Sequence, residues 1–166
     1  MAAAPVPVSS TAFLRHALAT LAYRAEKALR DAPPHFANFE AAPGTRTPLQ
    51  ILAHMGDLMD WALTLAEGSE AWHDATPLPW PEEVARFFLA MGALDRRLSS
   101  DEPLGCSAER FFAGPIADAL THTGQIGMLR RIAGSPVLGE NYFVAHITVG
   151  RVGTDQAAAV YEFEKA

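Results

Sequence analysis

The side chains best suited to metal or proton chemistry near neutral pH are six histidines: His16, His35, His54, His73, His122 and His146. Position sorts them. His16 falls on the polar side of a helical pattern, His35 and His73 fall in connecting segments, and His146 falls on the polar side of an alternating run. These four read as surface or hydrogen-bonded histidines. His54 and His122 each interrupt a strongly apolar helical stretch instead. His54 shares a stripe with Leu58, Trp61 and Leu65, and His122 stands four residues after Asp118, which puts the two on one helical face. If the two helices face each other, His54, Asp118 and His122 supply two imidazoles and a carboxylate, the donor set of an open catalytic metal site. Zinc or nickel suits such a set first, and iron or manganese is compatible. The competing reading is an i,i+4 ion pair between Asp118 and His122, with His54 a satisfied core histidine.

Other residues stand close to these three in sequence. Asp57, three positions after His54, is a candidate to orient or supplement that ligand. Gln125, three after His122, and Trp61, two turns along the His54 stripe, are candidate substrate contacts. Trp80 is a further candidate pocket wall. Arg130 is a candidate anchor for an anionic group, against the plainer reading of a helix C-terminal cation. The one cysteine, Cys106, has no activating neighbour and reads as a passive thiol. Zinc-protease HExxH, phosphate-loop, GxSxG and GxGxxG patterns are all absent from the chain.

Four amphipathic segments must position these groups. Phe13, Leu14, Ala17, Leu18, Leu21 and Ala25 recur at helical spacing, predicting a first helix from Ser9 or Ser10 to about Arg30, stopped by Pro33-Pro34. A loop from His35 to Arg46 follows, with Phe36 and Phe39 tucked against the bundle. Thr47-Pro48 opens a second helix, as hydroxyl cap and first-turn proline. Leu52, Met55, Met59, Ala62, Leu63 and Ala66 form its apolar face, and Gly68 ends it. Pro81-Glu82-Glu83 starts a third, with Val84, Phe87, Phe88, Met91 and Leu98 inward. Gly114-Pro115 punctuates a loop before a fourth helix, Ile116 to Ala133, which Gly134-Ser135-Pro136 terminates. Alternation at Phe143, Ala145, Ile147 and Val149 then predicts a short strand or an extended tail on the bundle. The expected organisation is a disordered tail over 1–8, an all-α four-helix bundle over 9–134 and an extended segment over 135–166.

Composition narrows the partners. Hydrophobic residues make up 49% and charged residues 19%, as in an ordinary globular domain, and the length of 166 residues suits one core. The formal net charge is -6, with no basic stripe to offset it, which argues against nucleic acid. No apolar run approaches the roughly 20 residues that cross a bilayer. A single cysteine and an N-terminus without a positive, then apolar, leader point to a reducing, cytoplasmic compartment. Apolar bundle faces and the extended tail offer surfaces for a homodimer.

Two stretches carry a resemblance. Pro48-Leu-Gln-Ile-Leu-Ala-His-Met-Gly-Asp-Leu-Met-Asp-Trp61 resembles the second helix of the DinB/YfiT-like superfamily, where a histidine follows an apolar run and precedes a bulky residue. Asp118-Ala-Leu-Thr-His-Thr-Gly-Gln-Ile-Gly-Met-Leu-Arg130 resembles that family's other motif, a histidine before Gly-Gln-Ile and a later Leu-Arg. The likeness spans most of residues 9–134. It implies a four-helix bundle with one divalent metal on three side chains, His54 and His122 among them. Asp118 falls where the usual member has a third histidine and some relatives a glutamate. The resemblance further implies a thiol-dependent transferase or isomerase, or a hydrolase, acting on a small molecule with a low-molecular-weight thiol as cosubstrate. The alternative is a non-catalytic bundle whose degenerate site serves small-molecule binding or dimerisation.

Overall fold

Hydroxyl caps set where the first two long helices begin. In the computed structural model, which describes residues 9–163, Ser9 accepts a hydrogen bond from the Ala12 amide and starts α1, Ser10–Leu29. Thr47 and Gln50 close a reciprocal capping box at the head of α2, Pro48–Ala66. Helix α3, Trp80–Leu98, carries Pro81 in its first turn and Glu82 and Glu83 at its positive end. The expected tail over 1–8 lies outside the described residues.

The fourth long helix begins earlier than its Gly114-Pro115 pair suggests. A single turn, α4 (Ala108–Phe111), runs through a π-helical turn at Phe112–Ile116 directly into α5, Ala117–Ile132. Proline in a helix removes one amide donor and crowds the preceding turn. A wider π turn at Pro115 accommodates both defects and leaves the helical path continuous, so the sequence reading of a loop there is corrected. Such turns recur at functional sites, and this one ends two residues before Asp118.

Contacts define a ring of four long helices. Helix α1 packs on α3 and α5, and α2 packs on α3 and α5, so α1 stands diagonal to α2. Around the ring the order is first, fourth, second, third. The diagonal step needs a long connection, which residues 30–47 supply with a 3-10 turn at Pro34–Asn38. Phe36 from that turn is fully buried, as expected, and meets Trp80 edge-on at 5.7 Å. Leu18 and Leu21 of α1, Met55 and Met59 of α2, Phe87 and Met91 of α3, and Ile126 of α5 fill the centre. Phe13 departs from its predicted inward place: it is 52% exposed and packs on Phe112. No helix among the described residues is long and apolar enough to cross a membrane.

After α5 the chain is irregular, and no strand forms among the described residues; one isolated antiparallel bridge joins Glu140 and Glu162. The predicted alternation does not organise the segment, since Phe143 is 96% and Val149 44% exposed. Polar groups fasten it instead. Buried Glu140 accepts hydrogen bonds from Tyr23 at 2.6 Å and Lys27 at 2.7 Å, and Lys27 also donates to Glu162. Val152 and Ile147 add apolar anchorage to the core.

Candidate metal centre

Because α2 and α5 are neighbours in the ring, the two apolar-face histidines meet across their interface. The His54 and His122 rings lie 4.9 Å apart between centroids, at 90°. Asp118, one turn before His122 on α5, reaches both: its Oδ1 is 3.4 Å from His122 Nε2, and its Oδ2 is 3.6 Å from His54 Nε2. One ligand atom from each of the three lies within 4.8 Å of the others.

These spacings exceed those of a good hydrogen bond. They suit a shared cation better. Donors held at zinc-like distances in a tetrahedral arrangement stand about 3.3 Å from one another. Two imidazole nitrogens and a carboxylate oxygen are also the chemistry that zinc, nickel, iron or manganese accepts. By donor set and by spacing, the residues fit a divalent ion.

Hydrogen bonding and burial prepare the donors. Gln125 Oε1 lies 2.8 Å from His122 Nδ1; an amide oxygen can only accept, so Nδ1 carries the proton and Nε2 presents its lone pair to the site. Burial chiefly lowers the His54 pKa from its ordinary value, and its neighbours His122 and Arg46 push the same way, against Asp118. His54 is therefore neutral, the form that ligates. Exposure rises from His122 through His54 to Asp118, whose side chain is 46% exposed, so the site opens on the carboxylate side.

Two cavities reach this cluster and share no wall residue. One of about 450 Å³ is bounded by His122 and Gln125 together with Arg46 and Ile51. The other, about 440 Å³, is bounded by Asp118, Trp61, Gly114 and Thr121, beside the π turn. Trp72, in the connection between α2 and α3, packs 5.5 Å from His54 and 5.8 Å from Trp61.

The other sequence candidates divide. Gln125 and Trp61 stand at the site. Asp57 does not serve His54: it is buried toward α3, accepts from Arg86 at 3.0 Å and from the Ala75 amide at 3.2 Å. Arg130 does not face a ligand either. It is buried, and its guanidinium donates to the carbonyls of Ala28, Arg30 and Asp31, closing the C-terminal end of α1 that lacks its own partners. Trp80 packs in the core against Phe36. Cys106 sits in the loop after α3, and burial raises its thiol pKa, which keeps it protonated. His16, His35, His73 and His146 are all exposed, as expected.

Asp57, Asp60 and His73 also bring ligand atoms together. Arg86 already stands among them as the cation, 3.0 Å from Asp57 and 3.2 Å from Asp60, with Glu83 on its other side. That cluster is a part-buried ion-pair network that joins α2 to α3. Arg46 and Trp72 are the site neighbours that sequence reading passed over; each lies in a connection with no periodicity to mark it.

Comparison of the chain with family models, with curated proteins and with solved structures finds no match.

Proposed function

We propose that this chain is a divalent-metal-dependent enzyme of the DinB-like kind, with His54, Asp118 and His122 as the three protein ligands and zinc or nickel as the preferred ion. The observation that carries the reading is the convergence of these three side chains from two helices, with Gln125 fixing the His122 tautomer. When bound, the metal supplies a Lewis acid that lowers the pKa of bound water toward about 7 or holds a thiol as thiolate.

The chain's own residues account for the rest. With its pKa lowered by burial, His54 is neutral at pH 7, so it can ligate without releasing a proton. Trp72 packs on one flank of His54 and is backed by Trp61. Two separate cavities flank the ligands, and that favours transfer or isomerisation between two organic partners over hydrolysis, which needs room for one. A low-molecular-weight thiol and a second small molecule are the partners this arrangement suits.

A non-catalytic reading draws on one observation: Asp118 pairs with both histidines directly, at 3.4 and 3.6 Å. The test is an assay of the zinc- or nickel-loaded chain for consumption of free thiol against a panel of small electrophiles, with His122→Ala as control. Turnover that needs the metal and His122 supports the enzyme. Stoichiometric metal with no turnover across thiols and acceptors supports the binding bundle.

A further inference from the structure

The cavity beside His122 has an uneven set of walls for so acidic a protein. The chain's formal net charge is -6, yet no carboxylate lines this cavity, and its one fixed charge is the Arg46 guanidinium. Arg46 precedes the Thr47 cap of α2, is exposed, and has neither ion-pair nor hydrogen-bond partner among the described residues. It is close enough to depress the His54 pKa through its charge. Thr45 adds a hydroxyl beside it, and Gln125 borders the same space.

The remaining surface is apolar. Ile51 from α2 and Met128 and Leu129 from α5 line it, and Met128 is 57% exposed. A methionine there adapts to ligands of varied outline. At about 450 Å³ the space falls within the range of small-molecule sites. A single cation bordering an apolar cleft selects a ligand with matching polarity: one anionic end and one apolar body. Guanidinium geometry matches the two oxygens of a carboxylate.

We propose that this cavity binds a small amphiphilic carboxylate, its anionic end paired with Arg46 and its apolar body against Ile51, Met128 and Leu129, beside His122. As a statement of substrate class this rests on the metal-centre reading above; as a binding site it stands on the cavity alone.

Calorimetric titration of the full chain, before and after removal of metal by a chelator, tests it with octanoate, octylamine and acetate as probes. Octanoate is expected to saturate one site in both forms. Octylamine, with the charge reversed, and acetate, without the apolar body, should each bind at least about tenfold more weakly. Arg46→Gln should weaken octanoate by about tenfold, and Met128→Glu, which puts an acid into the wall at an exposed position, should weaken it as well. Equal affinity for octanoate and octylamine, or undiminished octanoate binding by Arg46→Gln, would overturn the proposal. A zinc titration of the unmodified chain separates the two claims. Octanoate binding through Arg46 in a chain that takes up no zinc supports the cavity and sinks the metal reading. Zinc uptake with no preference for octanoate does the reverse.

Discussion

Gln125 accepts a hydrogen bond from His122 across 2.8 Å, and both residues border the same cavity. The contact holds the imidazole at one rotation and one tautomer, with Nε2 aimed at Asp118. Orienting partners of this kind are worth roughly 10–100-fold in metal affinity. Gln125→Ala is therefore expected to weaken zinc binding within that range while the fold persists, because Gln125 is exposed. Gln125→Glu keeps an acceptor at the same reach and should retain most of the affinity. Competition titration with a chromogenic chelator measures both.

Asp118 separates the metal reading from a purely structural one. Its side chain is 46% exposed, and exposed pairs contribute less than about 1 kcal/mol to folding. Asp118→Ala should lose metal and barely move the thermal midpoint. A structural ion pair predicts the opposite pattern: lower stability and unchanged metal content. Calorimetry and elemental analysis on the same sample tell the two apart.

The pH response follows from His54. Burial chiefly, with His122 and Arg46, holds its folded-state pKa below the ordinary 6.5. Protons therefore compete less for this ligand than for a free imidazole, and its share of the zinc affinity should fall as the pH drops below 6.5. In the metal-free chain the sign for folding is also fixed. As pH falls through 6.5 the unfolded chain takes up the proton first, so this group's contribution to stability declines toward the lower folded value. Chemical denaturation at pH 7.5 and 5.5, with and without zinc, reads both effects.

The segment after α5 is held by buried charge. Lys27 and Glu140 are 6% and 0% exposed at their side chains, so Lys27→Met strands a buried carboxylate and should cost about 3–5 kcal/mol. Burial alone would lower the Lys27 pKa. Hydrogen bonds and charge from Glu140 and Glu162 outweigh it and raise the group above 10.5. Its stabilisation is thus complete below pH 10.5 and is lost as the pH climbs through the folded value. Limited proteolysis should cut between residues 139 and 163 much faster in Lys27→Met than in the parent, and faster in the parent at high pH than at neutral pH.

Much of this was legible in the chain because its helices carry their own signals. Thr47-Pro48 marks the start of α2 by cap chemistry, and the apolar stripes at Leu18 and Leu21 or Met55 and Met59 mark buried faces that the structure fills as expected. Asp118 and His122 were paired by helical spacing, and His54 by its place in an apolar face. What escaped depends on which neighbour a face meets. Residues three apart on a helix differ by roughly 60° in direction. That suffices to turn His54 toward α5 and Asp57 toward Arg86 on α3. Arg130 carries a helix-end charge in sequence, but only the packing of α5 beside α1 delivers it to the carbonyls of Ala28 and Arg30. Pro115 reads as a break because an α-helix cannot hold it; a π turn can. Phe143 and Val149 alternate as a strand would, yet no partner strand exists among the described residues to pair with them.

The proposed function stands on His54, Asp118 and His122 holding a divalent metal. Its most direct test is metal content per chain, by plasma mass spectrometry of untagged protein reconstituted with zinc or nickel, beside His54→Ala and His122→Ala. The parent should hold close to one ion per chain, and either variant almost none. A parent that stays empty after reconstitution, or variants that hold as much metal as the parent, would contradict it.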